Sequence, residues 1–150
     1  MNDQRGERRD SKSFTAVLDS FYAAEVRYVA AGGAEGGASF AEMGAHLHPD
    51  VVLRQGPSVP YPGDWVGVVG VERFFGVFSR TWQSLDLSEA RYFVSADGVA
   101  ISHRMRAVAR ATGRHVDVPV GQLILFDDGL IRDFTVFYLD PVTVTDATRP

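Results

Sequence analysis

The residues from Ile101 to Arg110 alternate so strictly that they fix the local backbone. Ile101, His103, Met105, Ala107 and Ala109 alternate with Ser102, Arg104, Arg106, Val108 and Arg110. A period of two puts the first set on the buried face of a strand and the second on the other face. His103 is the one ionisable group on the apolar side. Similar runs on either side make Tyr92 to Asp140 a meander of long strands joined by tight turns, and this stretch holds the candidate chemistry.

An antiparallel hairpin pairs residues whose numbers have a constant sum, so assumed turns predict register. With Thr112-Gly113 as a two-residue turn, His103 faces Gln122, and Met105, Ala107 and Ala109 face Val120, Val118 and Val116. With Asp97-Gly98 as the turn, Tyr92 faces His103, Val94 faces Ile101 and Glu89 meets Arg106. This register also pairs Arg91 with Arg104, a like-charged contact. Asp127-Asp128-Gly129 fits a two-residue loop or a three-residue loop with a glycine bulge. The bulge is preferred because it turns Phe134, Val136 and Tyr138 inward and leaves Asp133 and Thr135 outside. The predicted polar cluster is Tyr92, His103, Gln122 and Tyr138.

A chain of 150 residues is most simply one domain that buries roughly 70% of its unfolded surface, enough to include a pocket. The absence of cysteine excludes disulfides, thiolate metal sites and thiol nucleophiles. A net charge of −4 argues against nucleic acid as a partner. No apolar run approaches the roughly 20 residues that span a bilayer, so a cytoplasmic protein without a membrane partner is expected. Met1 to Lys12 mixes charges of both signs and reads as a solvated, disordered leader; Thr145 to Pro150 reads as a similar tail.

A first helix is expected from about Ser13 to Ala31. Phe14, Val17, Leu18, Phe21, Tyr22, Tyr28 and Val29 share one arc, and Glu25 falls near its centre. A carboxylate there must be paired, hydrogen-bonded or protonated, unless the helix frays near Gly32-Gly33 and releases it to solvent. The glycine-rich stretch from Ala31 to Ser39 follows a helix and lacks a Gly-Lys-Ser/Thr sequence, so it reads as a flexible connector rather than a phosphate cradle. Ser39 and Glu42 are spaced as a capping box for a short helix to about Leu47. His46, His48 and Asp50 do not share a helix face and are not assigned to a metal. Val51 to Gln55 is a strand leading into a loop stiffened by Pro57, Pro60 and Pro62, whose Tyr61 and Trp65 suit the rim of a cavity. Val71 to about Trp82 forms a third helix with a stripe of Val71, Phe74, Phe75, Phe78 and Trp82. Helices followed by a meander imply an α+β domain with helices on one side of a bent antiparallel sheet.

Several segments carry a family resemblance over roughly Phe14 to Asp140: Phe21-Tyr22-Ala23-Ala24-Glu25, His48-Pro49-Asp50-Val51-Val52, Thr112-Gly113-Arg114, and Asp128-Gly129-Leu130-Ile131 leading to Phe137-Tyr138-Leu139-Asp140. The chain resembles the SnoaL-like branch of the nuclear transport factor 2-like superfamily. That resemblance implies a curved antiparallel sheet and about three helices forming a cone around a central pocket. Superfamily members include polyketide cyclases, ketosteroid isomerases, limonene epoxide hydrolases, dehydratases and non-catalytic binders. SnoaL-like cyclases commonly carry an aspartate seven residues before the turn glycine, where this chain has Gln122. The inward Asp-Arg-Asp set of the epoxide hydrolases corresponds here to His103, Met105 and an apolar residue near Val136, which disfavours their mechanism.

The leading expectation is therefore an acid–base enzyme without a cofactor, acting on a polyketide-like or other apolar oxygenated molecule. His103, Glu25, Tyr92 and Gln122 form the catalytic set, and Gln55, Trp65, Phe75, Met105, Tyr138 and Tyr22 contact substrate. One alternative is a binder using the same pocket. Another is an assembly role, with Arg104, Arg106, Arg110, Phe93, Leu123, Leu125 and Phe137 on an outer face that forms a homodimer.

Overall fold

A computed structural model describes residues 3–150, with side chains from Phe14 onward. The expected leader, Met1 to Lys12, lies outside the residues whose side chains are described. Helix α1 spans Asp3–Ala30 and α2 spans Ala41–Gly44. Strands β1 (Leu47–Gln55) and β2 (Gly63–Val66) precede α3 (Gly67–Thr81). Four long strands follow: β3 (Trp82–Val94), β4 (Gly98–Ala109), β5 (His115–Asp127) and β6 (Leu130–Tyr138). Helix α4 spans Pro141–Thr148.

The strands form a single sheet in the order β2-β1-β6-β5-β4-β3. Only β1 and β6 run parallel; the other neighbours are antiparallel. The sheet is curved and unclosed, and α1 and α3 fill its concave side. Phe14, Leu18, Phe21, Tyr22, Tyr28 and Val29 of α1 are buried, as are Val71, Phe74, Phe75 and Phe78 of α3. The 3.6-residue spacing of these side chains makes both helices one-sided. Phe21 of α1 meets Phe75 of α3 edge-to-face at 6.0 Å, and its tilted contact with Phe134 of β6 at 5.7 Å ties the helices to the sheet.

Inward and outward faces of β4 and β5 agree with the alternation, but the register differs from expectation by two residues. His103 faces Val120 rather than Gln122, and Gln122 faces Ile101. The connection is longer than two residues: Ala109 N donates to Arg114 O, and Gly113 N donates to Ala109 O, enclosing Arg110 to Gly113. A shift of two preserves side-chain parity, so apolar residues still meet apolar residues.

The preceding hairpin is corrected in the same way. Val94 pairs with Val99 and Tyr92 with Ile101, across a turn from Ser95 to Gly98. Gly98 is required there because a Cβ would lie 2.1 Å from Ile124 O. Further along, Ser88 pairs with Arg104 and Arg91 with Ser102, so Glu89 and Ala90 stand against the single residue His103. Glu89 adopts a φ of 56° at this bulge. The bulge removes the Arg91–Arg104 contact and brings Asp86, rather than Glu89, opposite Arg106.

At the last hairpin, Asp127 pairs with Leu130 across the two-residue turn Asp128-Gly129, both with positive φ. The bulge lies one step beyond, between Leu125 and Phe126, and produces the expected faces: Phe134 and Val136 are buried while Phe137 is exposed.

Three local expectations are also corrected. Ser39 Oγ accepts from Ala41 N at 3.2 Å, and Glu42 binds Arg27 at 2.6 Å, so the two do not form a capping box. The glycine-rich segment is a hydrogen-bonded turn, with Gly33 N on Tyr28 O and Ala38 N on Gly33 O. The chain end beyond Asp140 is helical, not a loose tail. Asp140 caps α4 by accepting from Thr143 N at 3.1 Å, Pro141 occupies the first turn, and Val144 and Ala147 are buried.

Candidate active site

The cavity lies where α1 and α3 cross the concave face. Leu53, Phe74, Phe75, Phe78, Leu85, Leu87, Met105, Val120, Phe134 and Val136 make most of its wall apolar. Five polar side chains interrupt that wall: Glu25 from α1, Gln55 from β1, His103 from β4, Gln122 from β5 and Tyr138 from β6. Its free volume is about 20 Å³, room for about one water molecule. Of the lining residues, only Leu87, Gln122 and Tyr138 keep partial exposure.

Glu25 is 7% exposed, and no hydrogen bond or ion pair reaches it among the described residues. The carboxyl is pushed up to about 8 because burial penalises its charged form. His103 is 4% exposed, and Nε2 has no hydrogen-bond partner among the described residues. Burial lowers its pKa from the usual imidazole value. Oε1 of Gln55 is likewise buried without a partner. Each unpartnered polar atom costs about 1–3 kcal/mol, so this cavity keeps hydrogen-bonding capacity unused at the expense of stability.

The other polar groups are held in place. Tyr22 donates its hydroxyl to Oε1 of Gln122, and its ring lies 5.5 Å from that of His103. Tyr138 and Tyr61 join hydroxyls at 2.8 Å, and Trp82 Nε1 donates to Tyr61 Oη at 3.3 Å.

The structure thus gathers Glu25, Gln55, Phe75, His103, Met105, Gln122 and Tyr138 around one cavity, with Tyr22 behind Gln122. It does not bring Tyr92 or Trp65 there. The register shift carries Tyr92 to Ile101, where its hydroxyl donates to Asp19 at 2.6 Å. Trp65 packs edge-on against Phe74 at 5.7 Å and donates from Nε1 to Tyr61 O at 3.3 Å. It supports the proline loop from behind.

Tyr61, read from sequence as rim surface, is 1% exposed and wedged against Phe74 and Phe78. Its position between Pro60 and Pro62 was the available signal, since a stiff loop can hold a large ring inward. His46 and His48 serve local contacts: His46 Nε2 pairs with Ser20 Oγ at 3.0 Å, and His48 Nδ1 accepts from Asp50 N at 3.0 Å. Among the described residues, no cluster of three His, Asp or Glu side chains could hold a metal ion.

A family model described as a SnoaL-like domain matches residues 26–134. The chain belongs to the SnoaL-like family. Solved structures agree on the fold. A nuclear transport factor 2-like protein of unknown function from Burkholderia pseudomallei superposes with a TM-score of 0.79 at 16% identity, covering 92% of this chain and 98% of that one. A protein described as a polyketide cyclase from Xanthomonas campestris pv. campestris gives 0.69 at 19% identity, with coverage of 86% and 92%. TerC, co-crystallised with polyporic acid, gives 0.67 at 15% identity, with coverage of 84% and 91%. No curated protein matches at a significant level. Among the described residues, no helix of this SnoaL-like chain is long and apolar enough to cross a membrane.

Proposed function

We propose that this SnoaL-like cavity moves a proton on a small, largely apolar oxygenated molecule without a cofactor. The observation that carries this reading is the pairing of Glu25 and His103. Both are buried in one apolar cavity, and burial pushes their pKa values in opposite directions, Glu25 up to about 8 and His103 down. Opposed shifts of this kind separate an acid from a base. At neutral pH Glu25 is an undissociated acid and His103 an uncharged imidazole.

With the ring proton on Nδ1, Nε2 of His103 accepts a proton from the carbon beside a carbonyl. The Glu25 hydroxyl then donates to the carbonyl oxygen as negative charge builds there. The resulting enolate attacks an electrophilic carbon and closes a ring, is reprotonated at another carbon, or expels hydroxide that leaves as water. In each case the proton removed by His103 returns to product or leaving group. The neighbour described as a polyketide cyclase and TerC, co-crystallised with polyporic acid, support a polyketide-like substrate. A ligand of ring size must displace lining side chains, and flexible Met105 beside His103 suits that role.

The test is deuterium exchange. The native chain and its His103→Ala variant are incubated in deuterated water with a panel of polycyclic and polyketide-like ketones. Deuterium uptake beside the carbonyl, lost by about 100-fold or more in the variant, is the expected result. Binding without exchange by either protein would favour a carrier with the same pocket.

We also propose that the outer sheet face meets a second copy of the chain. Phe93, Leu123 and Phe137 are 55%, 42% and 58% exposed there. Phe93, Ala100 and Leu123 form one row across the sheet, and Gly121 beside Phe137 leaves a shallow seat for an apolar partner.

A further inference from the structure

The hydrogen bonds behind Tyr138 have a direction that donor accounting can assign. An indole N–H donates and never accepts. Trp82 Nε1 therefore occupies one lone pair of Tyr61 Oη, at 3.3 Å. Tyr61 then has one proton to place, and the only other partner of its hydroxyl among the described residues is Tyr138, at 2.8 Å.

Two arrangements remain. If Tyr138 donated to Tyr61, the Tyr61 proton would be trapped without an acceptor in a side chain that is 1% exposed. If Tyr61 donates to Tyr138, the proton left over is that of Tyr138, which lines the cavity and can meet a ligand. Leaving a donor unpaired is costly in the interior and costless once a ligand accepts it, so the second arrangement prevails. Each donation also polarises the next hydroxyl, making Tyr138 a better donor than an isolated phenol.

The chain is held firmly. Tyr61 sits in the proline loop, its ring edge-on to Phe74 at 5.4 Å and to Phe78 at 5.3 Å. Its backbone carbonyl accepts from Trp65, and Thr145 of α4 donates to Ser58 O at 2.5 Å, pinning the same loop to the chain's last helix. Trp82 is the first residue of β3 and is fully buried.

We infer that Trp82 and Tyr61 are positioning residues that turn the Tyr138 hydroxyl into a donor aimed into the cavity, so that the site takes a ligand with a charge-bearing acceptor oxygen, an enolate or phenolate, placed at Tyr138. This deepens and rests on the acid–base reading, because it adds Tyr138 to Glu25 as a second donor to the enolate oxygen. Gln122 shows the same logic on a smaller scale: its carbonyl is occupied by Tyr22, which leaves its amide N–H groups for a ligand.

The experiment uses two matched probes at pH 7, 3,4-dinitrophenolate and 1,2-dinitrobenzene, which differ by the oxyanion. The native protein is expected to prefer the phenolate and to shift its absorption band to the blue, as a hydrogen bond to the oxyanion requires. Tyr138→Phe abolishes both the preference and the shift. Tyr61→Phe keeps ring volume and lowers the preference about 3- to 10-fold, with Trp82→Phe losing less. Affinity for 1,2-dinitrobenzene moves less than twofold in all three, which separates donation from packing. An unchanged preference and band in Tyr61→Phe, or no preference and no shift in the native protein, would overturn the inference; the native band reports donation to the oxyanion, and its loss in Tyr138→Phe assigns that donation to Tyr138 rather than to Glu25 or Gln122. Deuterium exchange reads the parent claim separately. Native exchange dependent on His103 alongside an unchanged Tyr61→Phe preference sinks the donor chain alone. A phenolate preference lost in Tyr61→Phe, without exchange by the native protein, sinks the acid–base reading and leaves the donor chain as a binding device.

Discussion

Glu25 on α1 and His103 on β4 face the same cavity, one from a helix and one from the sheet, and neither side chain is neutralised by an ion pair among the described residues. Burial alone sets their protonation states. A helix and a strand distant in sequence thus supply an acid and a base to one apolar space.

Glu25 should weaken the fold at neutral pH. Its folded pKa of about 8 lies above the ordinary 4.5, so between these values the folded chain retains a proton that the unfolded chain releases. Stability therefore falls as pH rises through that window. Glu25→Gln removes the penalty and should stabilise by roughly 2–3 kcal/mol at pH 7 and by less than about 1 kcal/mol at pH 4. Urea unfolding of both proteins at the two pH values checks this.

Turnover should follow a bell. On the acid side it rises as His103 loses its proton, below the usual imidazole value of about 6.5. On the alkaline side it falls as Glu25 ionises around pH 8. Exchange rate against pH measures both limbs, and Glu25→Gln should flatten the alkaline limb while lowering the plateau.

Tyr22→Phe removes the hydroxyl that holds Gln122. The expected loss is about 1 kcal/mol of stability, with a rise in KM larger than the fall in kcat because Gln122 loses its fixed orientation. Paired denaturation and kinetics separate the two effects.

The outer face gives a prediction of its own. The native chain should sediment as a dimer at micromolar concentration, and Leu123→Glu should sediment as a monomer with an unchanged circular dichroism spectrum. A native monomer removes the proposed interface.

Face was legible in the sequence and register was not, for a physical reason. Alternation reports side-chain parity, which a two-residue shift leaves intact, so His103, Met105 and Gln122 still reach the cavity. Turn length is set by local hydrogen bonds such as Gly113 N to Ala109 O, and a glycine does not announce whether its loop holds two residues or four. Two-residue turns place Tyr92 beside His103, whereas the longer turn sets it opposite Ile101 with its hydroxyl on Asp19. The bulge at Glu89 carries no glycine and left no signal. Glu25 was visible from helix spacing alone. Trp65 and Tyr61 both leave the expected rim because aromatic residues on a proline loop can face either way, and packing on Phe74 decides.

The most direct measurement is an NMR titration of the intact protein, following the carboxyl carbon of Glu25 and the ring of His103. The account predicts that Glu25 titrates near pH 8 and His103 below the usual imidazole range. A Glu25 that titrates at an ordinary carboxylate pH, or a His103 that remains protonated at neutral pH, would contradict it.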